Sequence, residues 1–422
     1  MSMLGPLILI AGVASTFGCK VKPKVRPVEE AYGAIDDVPD GALAARPLVG
    51  RARCRQEAEL PVGAPFELGE QAPLGGKTLV AIATGVGLNR VGKLLTLDES
   101  GKVVSARELG KLEREAPPPV LSTQVATQVA TPVSTEGSTA PSAWAVAYFK
   151  QGSKRESEVF IEGNGKSYST VVPQQSDDAY GLSLAIRGDD VLVAWDEDQP
   201  GGKGSHVRAA LVRGGSIAHS AVLSDAASDV DAPQVAATAG GFAIAWVNRR
   251  SLAFSEAAAD RLESPGEMPA FEWIEAATLD KEGQLSGRPF DLTSRTGHAR
   301  AFSLAGGIAG GVVAIRMDDA AIKAAGARLD FLTLGRDRAV STVAGEGVGR
   351  SVPGVLRGDG GDWVLQTTDE MDQPVIWFNS SGVWSGSHED SIVQGRVIRA
   401  LAHRRVLVAF GDRGIIARLA CE

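Results

Sequence analysis

The sequence predicts an all-β fold, a seven-bladed β-propeller of four-stranded antiparallel blades closed by an N-terminal strand, and three observations carry that expectation. The first is a recurring apolar strand ending in Ala plus a bulky residue. Its copies are TLVAI (78–82), WAVAY (144–148), VLVAW (191–195), FAIAW (242–246), VVAIR (312–316), WVLQT (363–367) and VLVAF (406–410). Measured at Ala81, Ala147, Ala194, Ala245, Ala314, Gln366 and Ala409, the steps are 66, 47, 51, 69, 52 and 43 residues, and a period of roughly 40–50 residues is that of a propeller blade. The second is a set of turns at a regular offset after each copy, such as LDESGKVVS (97–105), LVRGGSIAHS (211–220) and FNSSGVWSG (378–386). Gly where φ must be positive, flanked by alternating apolar and polar residues, reads as a hairpin. The third is a strand-length piece and Gly-rich turn ahead of the marked strand, as in PQVAATAGG (233–241) and PGVLRGDGG (353–361), which completes four strands per period.

Taken from the N-terminus, Met3 to Ala14 forms an apolar stretch (MLGPLILIAGVA) too short to span a bilayer and of the length of a signal-peptide core. It ends at Thr16-Phe17-Gly18-Cys19, which resembles a bacterial lipobox. The match departs from the pattern at Thr16, where Leu or Val is usual, and at Phe17, where a small residue is usual; no Lys or Arg precedes the apolar core. The resemblance implies that residues 1–18 are a signal peptide and that Cys19 carries lipid, with an ordinary secretory signal as the alternative. Residues 19–50 are polar and Pro-containing and read as a flexible tether; Lys20 beside Cys19 resembles an outer-membrane sorting context. Residues 51–422 are left for the propeller.

The chain has three cysteines, and lipidation of Cys19 leaves Cys54 and Cys421 at opposite ends of the folded region. The last repeat supplies only VIRALA (397–402), VLVAF (406–410) and GIIARLACE (414–422), so a fourth strand is expected from around Arg51–Gln56. Adjacent antiparallel strands lie about 4.5–5.5 Å apart at Cα, within disulfide reach. A Cys54–Cys421 bridge is therefore expected in an exported protein, the alternative being two free buried thiols.

Two long steps interrupt the repeat. APPPVLSTQVATQVATPVSTEGSTAP (116–141) reads either as a surface loop or as an irregular innermost strand, and SEAAADRLESPGEMPAFEWIE (255–275) as an insertion between the second and third strands of its blade. Long loops in compact folds are functional or disordered, which makes the second insertion a candidate binding segment.

A net charge of −8 lacks the basic footprint of a nucleic-acid binder. With strands ordered from the inside out, as in WD-repeat propellers, which the chain resembles in layout only, the loops after second strands and before first strands share one face. They carry Asp196, Glu197 and Asp198; Asp318 and Asp319; Asp369, Glu370 and Asp372; and further carboxylates at Asp177, Asp178, Asp225, Asp229, Asp231, Glu389 and Asp390. Converging carboxylates suit a divalent cation or a basic partner, against the simpler reading of solvated turns, and Arg249, Arg250, Arg295 and Arg413 lie on the same face. The first eight of these acidic residues are the partner-binding candidates; no metal or cofactor is expected.

Catalytic templates are missing. His206, His219, His298, His388 and His403 are scattered without metal-ligand spacing, and no nucleophile elbow, phosphate loop or dinucleotide fingerprint stands in a strand-to-helix context. The V-x-V-A-W strands followed by Gly turns resemble sialidase-like propellers but lack their S-x-D-x-G-x-x-W boxes, and none of Tyr32, Tyr148, Tyr168 or Tyr180 stands in the context of that family's nucleophile. The expected function is a noncatalytic envelope lipoprotein that acts as a protein-binding or scaffold module, docking another envelope protein through a propeller face at the outer membrane. The alternatives are a carbohydrate-active hydrolase of sialidase-like type and a purely structural surface protein.

Overall fold

The computed structural model describes residues 53–422 except 114–115, 124–142, 151–155, 164–165, 174–180, 200–203, 226–227, 252–269, 296–298, 300, 308–309, 318–326, 335–339, 350, 359–361, 381 and 390–394. Cys19 with the signal segment and tether, Asp177, Asp178, Asp318, Asp319, Asp390 and most of both long insertions lie outside the described residues.

The strands fall into antiparallel groups of consecutive members. β1 (Arg53–Pro61) precedes β2 (Phe66–Leu74), β3 (Lys77–Thr84), β4 (Val91–Leu97) and β5 (Val103–Lys111). Next come β6 (Val120–Thr123), β7 (Trp144–Lys150), β8 (Glu156–Gly163) and β9 (Lys166–Pro173), then β10 (Leu182–Arg187), β11 (Asp190–Asp198), β12 (Ser205–Arg213) and β13 (Ser216–Val222). They are followed by β14 (Asp229–Thr238), β15 (Gly241–Ser251), β16 (Ala270–Asp280) and the two-residue β17 (Phe290–Asp291), and by β18 (Ala301–Gly307), β19 (Gly310–Met317), β20 (Ala327–Leu334) and β21 (Val340–Val348). The chain ends with β22 (Gly354–Arg357), β23 (Trp363–Thr368), β24 (Pro374–Ser380) and β25 (Val383–Glu389), then β26 (Arg396–Leu401), β27 (Arg405–Phe410) and β28 (Ile415–Cys421). The result is an all-β propeller built of four-stranded antiparallel units.

Burial explains why one strand per repeat is so legible. β3, β7 and β11 are buried along almost their whole length, because each is covered on both faces by neighbouring strand groups, and such strands read as continuous apolar runs. Outer strands such as β5 and β13 are mostly exposed and carry a mixed sequence. The core lies between groups rather than within one. Ala147, Val159 and Ile161 pack with Leu184, Val193 and Trp195; Leu192 and Ala194 pack with Phe242, Ile244 and Trp246. Phe66, Val80 and Ile82 near the start pack with Leu407, Ala409 and Ile416 near the end, which brings the first group against the last.

Seven separate sheets are not what the hydrogen bonding gives. Among the described residues there are five sheets, three of four strands and two of eight. The first eight-stranded sheet arises where β14 and β18 meet in parallel at Thr238 and Gly307. Small residues permit that approach, since a side chain at Gly306 would meet the Ala237 carbonyl oxygen at 2.5 Å. The second arises through β1, which pairs in parallel with β25 at Arg53–His388 and Cys54–Glu389 and antiparallel with β28 from Cys54–Cys421 to Pro61–Ile415. Cys54 and Cys421 form a disulfide.

The insertion read as 255–275 is shorter on its C-terminal side, because Ala270 already begins β16 and pairs with Ser251. In the other insertion Val120–Thr123 forms β6, an inner strand paired with β7.

Candidate functional site

Loops after second strands and before first strands are hydrogen-bonded to one another. The Leu112 amide donates to the Arg90 carbonyl at 2.9 Å, the Phe66 amide to the Gly411 carbonyl at 2.8 Å, and the Gly349 amide to the Thr368 carbonyl at 2.6 Å. Both sets of loops therefore occupy one face. That face holds the most exposed large apolar side chains among the described residues: Val86 at 83%, Met371 at 77%, Leu88 at 67% and Val352 at 65%. Isolated exposed apolar residues are ordinary, and the four on one face make it the candidate contact surface.

These side chains stand on well-braced turns. Asp369 Oδ1 accepts the amides of Met371 and Gln373, each at 2.9 Å, and its carbonyl accepts the Asp372 amide at 2.9 Å. Asp372 takes a left-handed φ of 57°, which Asp tolerates better than most residues, so the turn holds Met371 outward. On the other loop the Arg90 guanidinium donates to the Ala116 carbonyl and pairs with Glu67, fixing the end of the Gly87–Asn89 3₁₀ turn that carries Leu88.

The acidic candidates separate. Asp196 and Glu197 are not loop residues; they lie in β11 and are 5% and 1% exposed. A strand buried on both faces extends further than the turn signal predicts, and it draws these carboxylates inward. Glu197 accepts hydrogen bonds from Trp195 Nε1 at 3.0 Å and Arg208 Nε at 2.8 Å, and its Oε1 lies 2.8 Å from His206 Nε2. It is a structural anchor between strands. Asp196 accepts the Gly181 amide, and burial first, then the neighbouring Asp231 carboxylate, pushes its carboxyl up to about 7. Asp231 in turn pairs with Arg249 at 2.7 Å. Asp369 is spent on its turn and lies 3.7 Å from His388. Asp198, Glu370 and Asp372 are exposed, and Glu370 and Asp372 stand on either side of Met371 in its turn. Among the described residues no group of three or more His, Cys, Asp or Glu side chains is placed to hold a metal ion.

Tyr148, the described tyrosine that reaches the interior, donates its hydroxyl to the Leu109 carbonyl at 2.8 Å, and burial pushes its pKa up to about 12. That is the reverse of what a nucleophilic phenolate needs.

The inner strands β2, β6, β10, β14, β18, β22 and β26 surround a cavity of about 750 Å³. A belt of side-chain to backbone hydrogen bonds ties each inner strand to the next, except that β26 is reached from Gln366 of the second strand β23. Glu70 accepts the Leu121 amide at 3.0 Å, Ser122 the Ile186 amide at 3.4 Å and Ser183 the Val235 amide at 3.0 Å. Gln234 donates to the Phe302 carbonyl and accepts the Leu304 amide, at 3.0 and 2.8 Å, and Ser303 accepts the Val355 amide at 3.3 Å. Gln366 accepts the Val397 amide at 2.6 Å, and Arg396 donates to the Gly69 carbonyl at 3.3 Å. Innermost strands otherwise leave an unpaired edge, and the belt satisfies it. No motif signalled this belt, since its members are single Ser, Gln, Glu and Arg residues in short strands.

No protein-family model matches the chain, and no curated protein matches it. Solved structures do, at low identity. The β-propeller domain of Cps50 (Swd1) from Myceliophteria thermophila is 11% identical, with 86% of this chain and 98% of that one covered at a TM-score of 0.47. YCF48 bound to a D1 peptide is 11% identical, covering 90% and 100% at 0.41, and a Trypanosoma rangeli sialidase is 12% identical, covering 53% and 39% at 0.33. The chain spans less than half the length of the sialidase and of a prolyl endopeptidase that also matches.

Proposed function

We propose that this chain is a noncatalytic, lipid-anchored envelope protein that binds another protein through the loop face of a seven-bladed ring. The ring reading counts each eight-stranded sheet as two four-stranded blades joined by one or two parallel bridges, and takes the β1–β28 pairing as its closure. Apolar clusters between every consecutive pair of strand groups, including first with last, support that count.

The observation that carries the binding role is the placement of Val86, Leu88, Val352 and Met371, all more than 60% exposed, on one face. Exposed apolar positions on a face that also carries Asp198, Glu370 and Asp372 suit a partner with apolar and basic groups; charge there governs encounter and salt sensitivity more than affinity. The anchor rests on Cys19 and the apolar segment before it.

Mild detergent extraction followed by affinity capture tests the reading. The Val86→Asp/Leu88→Asp and Val352→Asp/Met371→Asp variants are expected to lose partners that the wild type retains, with unchanged melting temperatures. If both keep the wild-type partners, the loop face is not the binding surface.

A further inference from the structure

The axial cavity differs in charge from the molecule around it. The ionisable side chains among its lining residues are Glu70, Arg357, Arg396 and Arg399, three cations against one carboxyl in a chain whose net charge is −8. Its volume of about 750 Å³ falls within the roughly 300–1,000 Å³ of small-molecule sites. β14, β18 and β22 contribute the half-buried Ala237, Ala305 and Leu356 to the wall, a surface for hydrocarbon.

Arg396 opens onto this space. It is solvent-accessible while Gly395 and Val397 on either side are buried, yet surrounding protein lowers its pKa. Accessibility together with depth is the mark of a side chain facing an enclosed cavity. Glu70 behaves alike: it is half-buried, and burial pushes its carboxyl up to about 7 against the opposing pull of the Leu121 amide and Arg396. Nearby, Gln71 Oε1 is buried without a hydrogen-bond partner on the same wall.

We propose that the axial cavity binds a small organic carboxylate, its carboxylate seated on the Arg396 guanidinium and its hydrocarbon part against Ala305 and Leu356. A guanidinium matches a carboxylate in planar, two-point geometry. Inorganic phosphate shares that chemistry but has no body to cover the apolar wall. Glu70 is the built-in competitor: ionised, it draws on Arg396; protonated, it releases the guanidinium and gains a donor. Arg357 and Arg399 are the other charged groups on the wall. The inference does not depend on the loop face.

Calorimetric titration of the folded chain with hexanoate, adipate and inorganic phosphate at constant ionic strength tests it. The carboxylates are expected to bind, at least about tenfold tighter than phosphate, and more tightly as pH falls from about 8 to about 6. Glu70→Gln removes that pH dependence, and Arg396→Gln weakens binding at least about tenfold. Gly354→Trp, at a lining position where a side chain meets nothing closer than the Gln366 Cβ at 3.9 Å, fills the cavity without changing its charge, abolishes binding and serves if the Arg396 variant fails to fold. No heat and no thermal upshift of the wild type at about 10 mM carboxylate, phosphate binding as tight as carboxylate, or wild-type binding by Gly354→Trp would each overturn the proposal.

Discussion

Glu197 shows how a residue's surroundings reverse the role its type suggests. In sequence it sits in an acidic triplet after a repeat strand; in the fold its carboxylate is enclosed by Trp195, His206 and Arg208. Removing one member of a buried charged cluster leaves the others unpaired, which costs about 3–5 kcal/mol. Glu197→Ala is therefore expected to lower the denaturant midpoint sharply, whereas Glu370→Ala on the exposed loop is expected to leave it within about 0.5 kcal/mol. Equal effects from the two would refute the assignment. Asp196 gives a pH signature. Its carboxyl titrates at about 7 in the folded chain against 3.8 as its ordinary value, so between those values the folded state holds a proton that the unfolded state has lost. Its contribution to stability accordingly falls as pH rises from about 4 to about 7, and Glu70 adds to the same trend from 4.5. Asp196→Asn is expected to flatten the decline in melting temperature over that window; an unchanged slope would show that the carboxyl does not carry it.

Among the elements, β1 has the largest leverage because it joins the two ends of the folded region. Its bulge between Gln56 and Ala58 places the Glu57 carboxylate 3.2 Å from Arg405 and 3.1 Å from Arg418, so the strand is held by charge as well as by its ladder and by the Cys54–Cys421 disulfide, which spans 367 residues. The double variant Cys54→Ser/Cys421→Ser is expected to fold and to lose about 2–5 kcal/mol by chemical denaturation. No loss would mean the bridge constrains nothing. The pairing of these cysteines was legible in the sequence because their parity and the three-strand last repeat both pointed to it. The second strands β3, β7, β11, β15, β19, β23 and β27 were legible too, since burial on both faces demands an unbroken apolar run. What the sequence did not reveal follows from the same physics in reverse. Asp196 and Glu197 looked like loop because charge usually marks a turn, and only their partners Gly181, Arg208 and His206, distant or unsignalled in sequence, make burial possible. The hydrogen-bonded belt around the axis uses residues with no local pattern, and of the bridges that merge groups into eight-stranded sheets, one depends on close approach at Gly306 and Gly307 and the other on the parallel pairing of β1 with β25.

For the whole molecule, the expectation is an anchored ring that offers one face. Cys19→Ser is expected to release the protein from membranes into the soluble fraction; continued sedimentation with membranes would argue against a lipid anchor. The two faces of the propeller differ in degree: the loop face carries Val86, Leu88, Val352 and Met371, each at least 65% exposed, while the opposite hairpins carry Val383 at 57% and Val104 at 50% and include polar turns, such as Gly214–Gly215 and Asp98–Lys102, closed by their own hydrogen bonds. Site-specific photo-crosslinking in intact cells tests this asymmetry most directly, with the reactive residue placed at Met371, at Val86 and, as a control on an outer strand, at Ile217. The account predicts a discrete crosslinked partner from positions 371 and 86, absent at 217 and lost when Val352 is changed to Asp. Equal crosslinking from all three positions, or a partner captured from 217 alone, would contradict it.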